Sequence, residues 1–111
     1  MHQIVHICSQ PDWQSAQTAG EYCAASLPTE GFIHCSRPEQ ALDTANRYYA
    51  GQQGLLLLWI NPATLRAELH WESSHGEVYP HLYGPLNLEA VSQVTPFSPD
   101  VDGVFRSLPK A

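Results

Sequence analysis

Hydrophobic residues recur along this chain with two different periods, which predict a mixture of strands and helices. The longest apolar run, residues 55–60, is short and uninterrupted and follows Gly54, as is typical of a strand buried on both faces. Residues 3–8 and 88–95 have the aliphatic content of further strands, and residues 67–72 alternate as in a strand with one polar face. We therefore predict that residues 55–60 form the central strand of a sheet.

Two segments have the spacing and the boundaries of helices. Apolar residues recur at helical intervals between Ser36 and Gly51, and a glycine is a good terminator. Ser9 has the chemistry of a helix N-cap, and the helix that it begins is predicted to end near Gly20. We expect two helices, since residues 21–27 fit either a helix or a strand.

A hairpin, a loop and a tail are predicted in the second half of the chain. Residues 73–76 are turn formers, and they join the strand at 67–72 to an antiparallel return at 77–79. Residues 80–86 contain two prolines and a glycine, which argue against an ordinary strand and predict a rigid loop. From residue 96 onward we expect a tail on the surface.

Length and composition limit the fold class and the partners. A chain of 111 residues, 43% of them hydrophobic, fits one domain over residues 1–111, and its predicted elements make this an α+β domain with a mostly antiparallel sheet. A net charge of −6 argues against binding extended nucleic acid. The apolar runs are too short to span a bilayer and the three cysteines lack paired spacing, so we expect a cytoplasmic protein with reduced thiols and no membrane partner.

The first candidate site lies where a strand runs into the second helix. Phe32 and Ile33 are strand formers, and Ser36 with Glu39 matches a reciprocal helix cap. This junction places His34 and Ser36 beside the unpaired amide groups of a helix N-terminus, where a phosphate or another anion is favoured. The alternative is that His34 is bonded to a neighbouring carbonyl and Ser36 only caps the helix.

A second stretch would complete a nucleotide-sized cleft if it lies opposite the first. His81 and Tyr83 stand on the predicted rigid loop. A tyrosine ring can stack on a flat base, and a histidine such as His34 can donate to a ribose hydroxyl. Arg37 and Arg47, in or near the helix, would add local positive charge.

The six histidines also invite the hypothesis of a metal site. None of the established metal-binding spacings is present, so we expect no metal. The residues that would supply its ligands are His34, Ser36, His70, Glu72, His75 and His81. Four histidines are interpreted as solvent-facing or edge residues, namely His2, His6, His70 and His75.

Two further residues have a functional and a structural interpretation. Cys35 is expected in the core, because it follows His34 directly and neighbours in a strand point to opposite faces. Glu72 follows Trp71, and an apolar neighbour can raise the pKa of a carboxyl group towards the range of general acid–base catalysis. The alternative for Glu72 is a solvated charge at the end of a strand.

Four stretches carry a resemblance to a known family: residues 31–36, 45–49, 55–60 and 80–86. The most specific are Gly-Phe-Ile-His-x-Ser and Pro-His-Leu-Tyr-Gly-Pro-Leu. Their order and spacing resemble the bacterial domain of unknown function 952 (DUF952) family over residues 4–105. That family has no established activity to transfer to this chain.

The resemblance implies a fold and a set of candidate residues. The family is remotely similar to the ADP-ribosyltransferase superfamily, which includes the RNA 2′-phosphotransferases and holds NAD on a split, mainly antiparallel sheet. His34 resembles the early-strand histidine that contacts a ribose, and Tyr83, or else Tyr79, resembles the aromatic residue that cradles nicotinamide. Glu72 and Glu89 both remain candidates for the third position, which is often a glutamate.

These expectations combine into one functional hypothesis and one alternative. The protein is expected to bind NAD or an ADP-ribose-like nucleotide and to transfer or cleave the ribosyl group. The expected binding residues are His34, Ser36, Arg37, His81 and Tyr83, and the expected catalytic residues are His34, Tyr83 and Glu72. The alternative is a non-enzymatic module for a small molecule or a protein partner. The sequence leaves the oligomeric state open.

Overall fold

The computed structural model describes residues 2–109 and has, within that range, three antiparallel sheets and three α-helices. The strands are β1 (Ile4–Ser9), β2 (Glu21–Tyr22), β3 (Ile33–His34), β4 (Leu55–Ile60), β5 (Glu68–Ser74), β6 (Glu77–Tyr83), β7 (Leu86–Asn87) and β8 (Val91–Phe97). The helices are α1 (Gln10–Ala19), α2 (Ser26–Glu30) and α3 (Ala41–Tyr48). The antiparallel α+β class is confirmed. The expected count of two helices is wrong, because α2 forms a third helix and only its first two residues fall in the undecided stretch 21–27. No helix in the described range is long and apolar enough to cross a membrane.

The sheet β1-β4-β8 forms the apolar centre of the molecule. All six residues of β4 are buried, which confirms the prediction of a central strand at residues 55–60. Neighbouring residues of a strand point to opposite faces. Leu57 accordingly shares an apolar cluster with Ala45 of α3, whereas Leu58 shares one with Leu82 of β6. This sheet therefore separates α3 from the apolar face of the second three-stranded sheet.

The sheet β3-β6-β5 is built around the predicted hairpin. Strands β5 and β6 pair along their full lengths. The turn between them holds His75 and Gly76 at φ values of 52° and 79°. Positive φ at both central residues matches the twist of a two-residue hairpin, so the hairpin prediction is confirmed.

The prediction of a rigid loop at residues 80–86 is wrong in its first half. The chain up to Tyr83 belongs to β6, the central strand of its sheet. The N–H and C=O of one strand residue point to the same neighbouring strand, and the carbonyl of Pro80 accepts from the N–H of Cys35 at 3.1 Å. The N–H that Pro80 lacks would thus face β3, whose ladder ends at His34, so the proline removes little pairing.

Residues 33–36 cross from one sheet to the other. The first two of them pair with β6. Ser36 then exchanges two backbone hydrogen bonds with Val5 of β1, at 2.8 and 2.9 Å. The two sheets are therefore joined by one short segment and diverge on either side of it.

His6 of β1 fills the gap where the two sheets diverge. Its Nδ1 donates to the carbonyl of His34, and its Nε2 accepts from the hydroxyl of Tyr22 at 2.8 Å. A carbonyl can only accept, which assigns the ring proton to Nδ1. Desolvation lowers the pKa of His6 to about 4, against the weaker effect of the carbonyl, so the ring is neutral. The interpretation of His6 as a solvent-facing or edge residue is wrong, since it is only 7% exposed.

The ends of α1 follow the prediction, whereas α3 begins later than expected. The hydroxyl of Ser9 caps α1, and Gly20 ends it at φ 88°. Ser36 does not cap the next helix. Instead, the N–H of Arg37 donates to Oε1 of Gln40 at 2.9 Å, and a short 3₁₀ turn leads into α3. Pairing with β1 holds Ser36 in extended backbone, which displaces the cap by one residue.

The chain after β8 is anchored against α3. The predicted tail starts later than expected, because β8 continues to Phe97. Further on, the side-chain amide of Asn46 bonds both the N–H and the carbonyl of Phe105, at 2.7 and 2.9 Å. Phe105 itself is 2% exposed and lies in the same apolar cluster as Ala45 of α3. This segment therefore contributes to the core.

Candidate functional site

A cleft of about 730 Å³ opens between α3, β1 and the polar face of the sheet β3-β6-β5. This volume lies within the range that accommodates a small ligand. The polar side chains that line it from α3 and the second sheet are Thr44, Arg47, Tyr48, His34, Ser74, Tyr79 and His81. Two carboxylates, Asp12 and Glu30, also line it. Of the sequence-predicted site residues, His34, Ser36 and His81 line the cleft, whereas Arg37, Glu72 and Tyr83 do not.

Strand pairing brings the two central histidines together. His34 of β3 and His81 of β6 are directly opposite each other in the antiparallel ladder, so their side chains lie on the same face of the sheet. Their ring centroids are 5.4 Å apart, at an interplanar angle of 73°. The two predicted stretches therefore do meet, through a strand pair in which residues 80–83 are not a loop.

His81 is held by a carboxylate on the neighbouring strand. Its Nδ1 lies 2.7 Å from Oε1 of Glu72, and the hydroxyl of Tyr83 donates to the same oxygen at 2.6 Å. Both hydrogen bonds lower the pKa of Glu72, and the bond from Tyr83 contributes more than the bond from His81. Glu72 is thus an ionised acceptor, and the sequence-based expectation that Trp71 raises its pKa is wrong.

The second nitrogen of His81 faces the cleft. An ionised carboxylate only accepts, so the bond to Glu72 places a proton on Nδ1. The Nε2 atom makes no hydrogen bond with any of the described residues. Every buried side-chain polar atom among these residues has a hydrogen-bond partner, so an atom without one cannot be buried. Nε2 is therefore accessible from the cleft, although the residue as a whole is only 6% exposed.

Phe32 separates Tyr83 from the cleft. Its ring stacks on His81 with centroids 4.1 Å apart and an interplanar angle of 19°. It also lies 4.7 Å from the ring of His34 and 5.2 Å from that of Tyr83. The phenol of Tyr83 sits on the outer side of this stack, near the edge-on ring of His70. Tyr83 therefore supports Glu72 and does not face His34 across an open space.

His34 is a half-exposed residue with its own carboxylate partner. Its Nε2 is 3.1 Å from Oε2 of Glu30 at the end of α2, and both side chains are 51% exposed. The sequence left open a structural role in which His34 bonds to a neighbouring carbonyl. In the structure its side chain pairs with the exposed Glu30 instead. The ring of His34 is thus exposed on the cleft wall.

The cations near the cleft differ in how they are compensated. Arg37 lies 3.0 Å from Glu39 and 3.7 Å from Glu77, so its charge is balanced locally. Arg47 lines the cleft and forms no ion pair with any residue in the described range. The sequence signal for Arg47 is its helical spacing: Thr44, Arg47 and Tyr48 are three and four residues apart and share one face of α3.

The floor and one end of the cleft are built from hydrogen-bonded side chains. The hydroxyl of Ser36 is buried and lies 3.2 Å from the hydroxyl of Thr44. At the end nearest the β5–β6 turn, the hydroxyl of Tyr48 lies 2.8 Å from Nε2 of His75. This contact between α3 and the hairpin bounds the cleft on that side.

The buried thiols in the cleft wall are unsuited to nucleophilic chemistry. Burial raises the pKa values of Cys8 and Cys35 to about 12, so both are protonated near neutral pH. The prediction that Cys35 belongs to the core is confirmed by its 3% exposure. No group of three or more metal-binding side chains is found among residues 2–109.

Comparisons with known proteins agree with this architecture. The family described as "Protein of unknown function (DUF952)" matches residues 7–94. The crystal structure of protein CC0527 from Caulobacter crescentus is similar to this chain, with 37% identity and a TM-score of 0.86, covering 94% of this chain and 93% of CC0527. The solution NMR structure of CC0527 is also similar, with 37% identity and a TM-score of 0.81 over 96% and 93% of the two chains.

No curated protein matches this chain. The family match covers most of the sequence and contains His34, Glu72 and His81. The chain therefore belongs to the DUF952 family of proteins of unknown function.

Proposed function

We propose that the cleft binds an ADP-ribose-like nucleotide, of which NAD is one. The observation that carries this proposal is Arg47, which forms no ion pair within residues 2–109 and lines the same cleft as His34 and His81. The chain as a whole has a net charge of −6. Asp12 and Glu30 also line the cleft, and Glu30 is paired with His34. A cation without an ion pair among the described residues, in one concave site of an acidic protein, suits a small anionic ligand better than an extended polyanion.

The groups around the cleft match the parts of such a nucleotide. The forked donors of Arg47 suit the oxygens of a diphosphate. The imidazoles of His34 and His81 can exchange hydrogen bonds with ribose hydroxyls. In this arrangement the phosphates lie beside α3 and the ribose lies against the sheet β3-β6-β5.

Kinship with the ADP-ribosyltransferase superfamily is part of the same proposal. Its support is the divergence of two antiparallel sheets on either side of residues 33–36, with His34 on the short strand at that point. The family description names no function, so it bears neither for nor against this kinship.

A second candidate function is binding without ribosyl transfer. It is favoured by the position of Glu72, whose Oε1 already accepts from His81 and Tyr83 and which does not line the cleft. A glutamate so engaged is poorly placed to polarise a ribose hydroxyl. Nucleotide capture by a non-enzymatic module would need only Arg47 and the two histidines.

Calorimetric titration with NAD and ADP-ribose tests nucleotide binding. The variant Arg47→Gln is expected to raise the dissociation constant by about tenfold or more, because a charge-assisted hydrogen bond contributes on the order of 1.5–3 kcal/mol. The matched control is Arg66→Gln, since Arg66 is exposed, pairs with Glu89 and does not line the cleft.

The control should leave the affinity unchanged. A folded wild-type protein that produces no heat with either nucleotide at millimolar concentration contradicts the proposal. Equal weakening by Arg47→Gln and Arg66→Gln contradicts it as well, because the effect would then come from overall charge.

A further inference from the structure

Two imidazoles in the cleft are each backed by a carboxylate of their own. His81 is held by Glu72 at 2.7 Å and His34 by Glu30 at 3.1 Å. The rings are 5.4 Å apart on the same face of the sheet, and both line the cleft. Two imidazoles at this separation can serve as a general base and a general acid for one substrate.

Cleavage of NAD at its nicotinamide would not need both a general base and a general acid. Nicotinamide departs from a pyridinium ring as a neutral molecule, so the leaving group needs no proton. An acid is needed when the leaving atom is an oxygen that would otherwise depart as an alkoxide. The pair therefore indicates a reaction in which water loses a proton and a leaving oxygen gains one.

We propose that His34 and His81 hydrolyse a 2′,3′-cyclic phosphodiester on a ribonucleotide, a substrate class that rests on the proposed binding of nucleotides in this cleft. The water oxygen forms a bond to phosphorus while Nε2 of His81 takes its proton. The bond from phosphorus to one ribose oxygen breaks, and protonated His34 gives that oxygen a proton from Nδ1. The product is a nucleotide monophosphate, and proton exchange with solvent restores both rings.

The surroundings of each ring assign its role. His81 has its proton fixed on Nδ1 by Glu72, which leaves the lone pair of Nε2 for the proton of water. The positive charge that forms is stabilised by that carboxylate, so Glu72 is a positioning residue. The Nε2 atom of His34 is engaged by Glu30 at 3.1 Å and the side chain is half exposed, so solvent can resupply the proton that this ring gives up.

The third contribution comes from α3. The guanidinium of Arg47 can neutralise charge on the non-bridging phosphate oxygens as the bond to water forms. The titratable and charged groups that line the cleft or contact the histidine pair, taken from all packed elements, are His6, Cys8, Asp12, Tyr22, Glu30, Cys35, Arg47, Tyr48, Tyr49, His70, Glu72, His75, Tyr79 and Tyr83. With one neutral and one protonated imidazole required, the rate is expected to have a bell-shaped dependence on pH.

The test is hydrolysis of 2′,3′-cyclic AMP, with 3′,5′-cyclic AMP and an RNA trinucleotide ending in a 2′,3′-cyclic phosphate as further arms. The wild-type protein should hydrolyse the 2′,3′-cyclic mononucleotide. The variants His34→Gln and His81→Gln should each lower kcat at least about a hundredfold. Gln keeps an N–H donor for binding, and His34 is exposed, so that variant is expected to fold.

The matched control is His70→Gln. His70 lies directly opposite His81 in the β5–β6 ladder and is also paired with a carboxylate, Glu68, at 3.2 Å, but it does not line the cleft. Its replacement should leave kcat unchanged. Glu72→Gln should lower kcat and shift the acidic limb of the pH profile, which reports the general base His81. A purely structural role would not move that limb.

Several outcomes overturn the inference. They are a folded wild-type protein that binds ADP-ribose but does not hydrolyse 2′,3′-cyclic AMP, equal loss of activity in His70→Gln, and full activity in His34→Gln. Hydrolysis of only the 3′,5′-cyclic or only the oligonucleotide substrate also overturns it, since the free 2′,3′-cyclic mononucleotide is the proposed substrate. Hydrolysis without measurable binding of NAD or ADP-ribose supports this inference and contradicts the proposed binding of an ADP-ribose-like nucleotide.

Discussion

The two three-stranded sheets of this protein differ in what covers their faces. The sheet β1-β4-β8 is apolar on both faces along β4, where every residue is buried. The sheet β3-β6-β5 has one apolar face, with Leu82 fully buried, and one face that carries His34, His81 and Glu72. The comparison teaches that the first sheet supplies most of the core through β4, whereas the second sheet leaves a polar face that lines the cleft.

The two sheets meet at residues 33–36, and that junction determines the geometry of the cleft. The same short segment pairs with β6 and then with β1. His6 fills the gap between them with two hydrogen bonds. The cleft therefore lies where the two sheets separate, and perturbing either sheet should have a distinct result.

The largest expected effect is on the apolar sheet. Leu57→Ala should lower the free energy of unfolding by about 2–5 kcal/mol, because it leaves a cavity at a residue with 0% exposure. Urea denaturation measures the loss. Val101→Ala, at a fully exposed residue, is the control and should change stability by less than about 0.5 kcal/mol. A loss below about 1 kcal/mol for Leu57→Ala would contradict the central role of β4.

The next effect is on the junction and appears as a pH dependence. The pKa of His6 is about 4 in the folded protein, against an ordinary value of 6.5 in the unfolded chain. The unfolded chain therefore binds the proton more strongly. Stability from this residue is complete above pH 6.5 and is lost as the pH falls towards 4, by about 3 kcal/mol in total. Urea denaturation across this range measures it.

The variant His6→Gln is the control for that titration. It should be less stable at pH 7, because it cannot reproduce both bonds to His34 and Tyr22. It should also lose most of the pH dependence between 6.5 and 4. An unchanged pH dependence in the variant would assign the effect to other groups.

A smaller change in stability is expected on the polar sheet, where binding should respond instead. His34→Ala should alter the free energy of unfolding by no more than about 1 kcal/mol, since its pair with Glu30 is exposed. Nucleotide affinity should fall, because Ala has no donor or acceptor for a ribose. Calorimetry and urea denaturation together separate the two results. Clear destabilisation with unchanged affinity would make His34 a packing residue.

The smallest effect is expected at Tyr83. Tyr83→Phe removes the hydrogen bond that contributes most to the lowered pKa of Glu72, so that pKa should rise towards its ordinary value. An NMR titration of the Glu72 carboxyl group measures this shift. The midpoint of unfolding and the nucleotide affinity should both stay unchanged, because Tyr83 is exposed and does not line the cleft. Lost affinity would place Tyr83 in the site after all.

Local patterns predicted several elements because their causes are local. The run at residues 55–60, the hairpin around Gly76 and the cap at Ser9 each follow from a few neighbouring residues. Strand β6 did not, since Pro80 is tolerated only because β3 ends beside it. The cap at Ser36 failed for a similar reason, as pairing with a distant strand outweighs a local side-chain bond.

Among the candidate site residues, residue type was more informative than position along the chain. His34 and His81 were found from motifs, and strand pairing places them side by side. Arg47 was noted only as a nearby charge, since its lack of an acidic partner depends on where every carboxylate lies. Tyr83 was assigned to the cleft, but Phe32 stands between it and His34.

By itself, the sequence determined the buried central strand, the antiparallel α+β class and the family, because these depend on hydrophobic period and on contiguous motifs. Only the tertiary structure decided that His6 is neutral and buried between the sheets, that Glu72 holds His81, and that Arg47 forms no ion pair within residues 2–109. The reason is physical: burial, hydrogen-bond partners and net local charge are properties of groups brought together from distant positions. No window of neighbouring residues contains them.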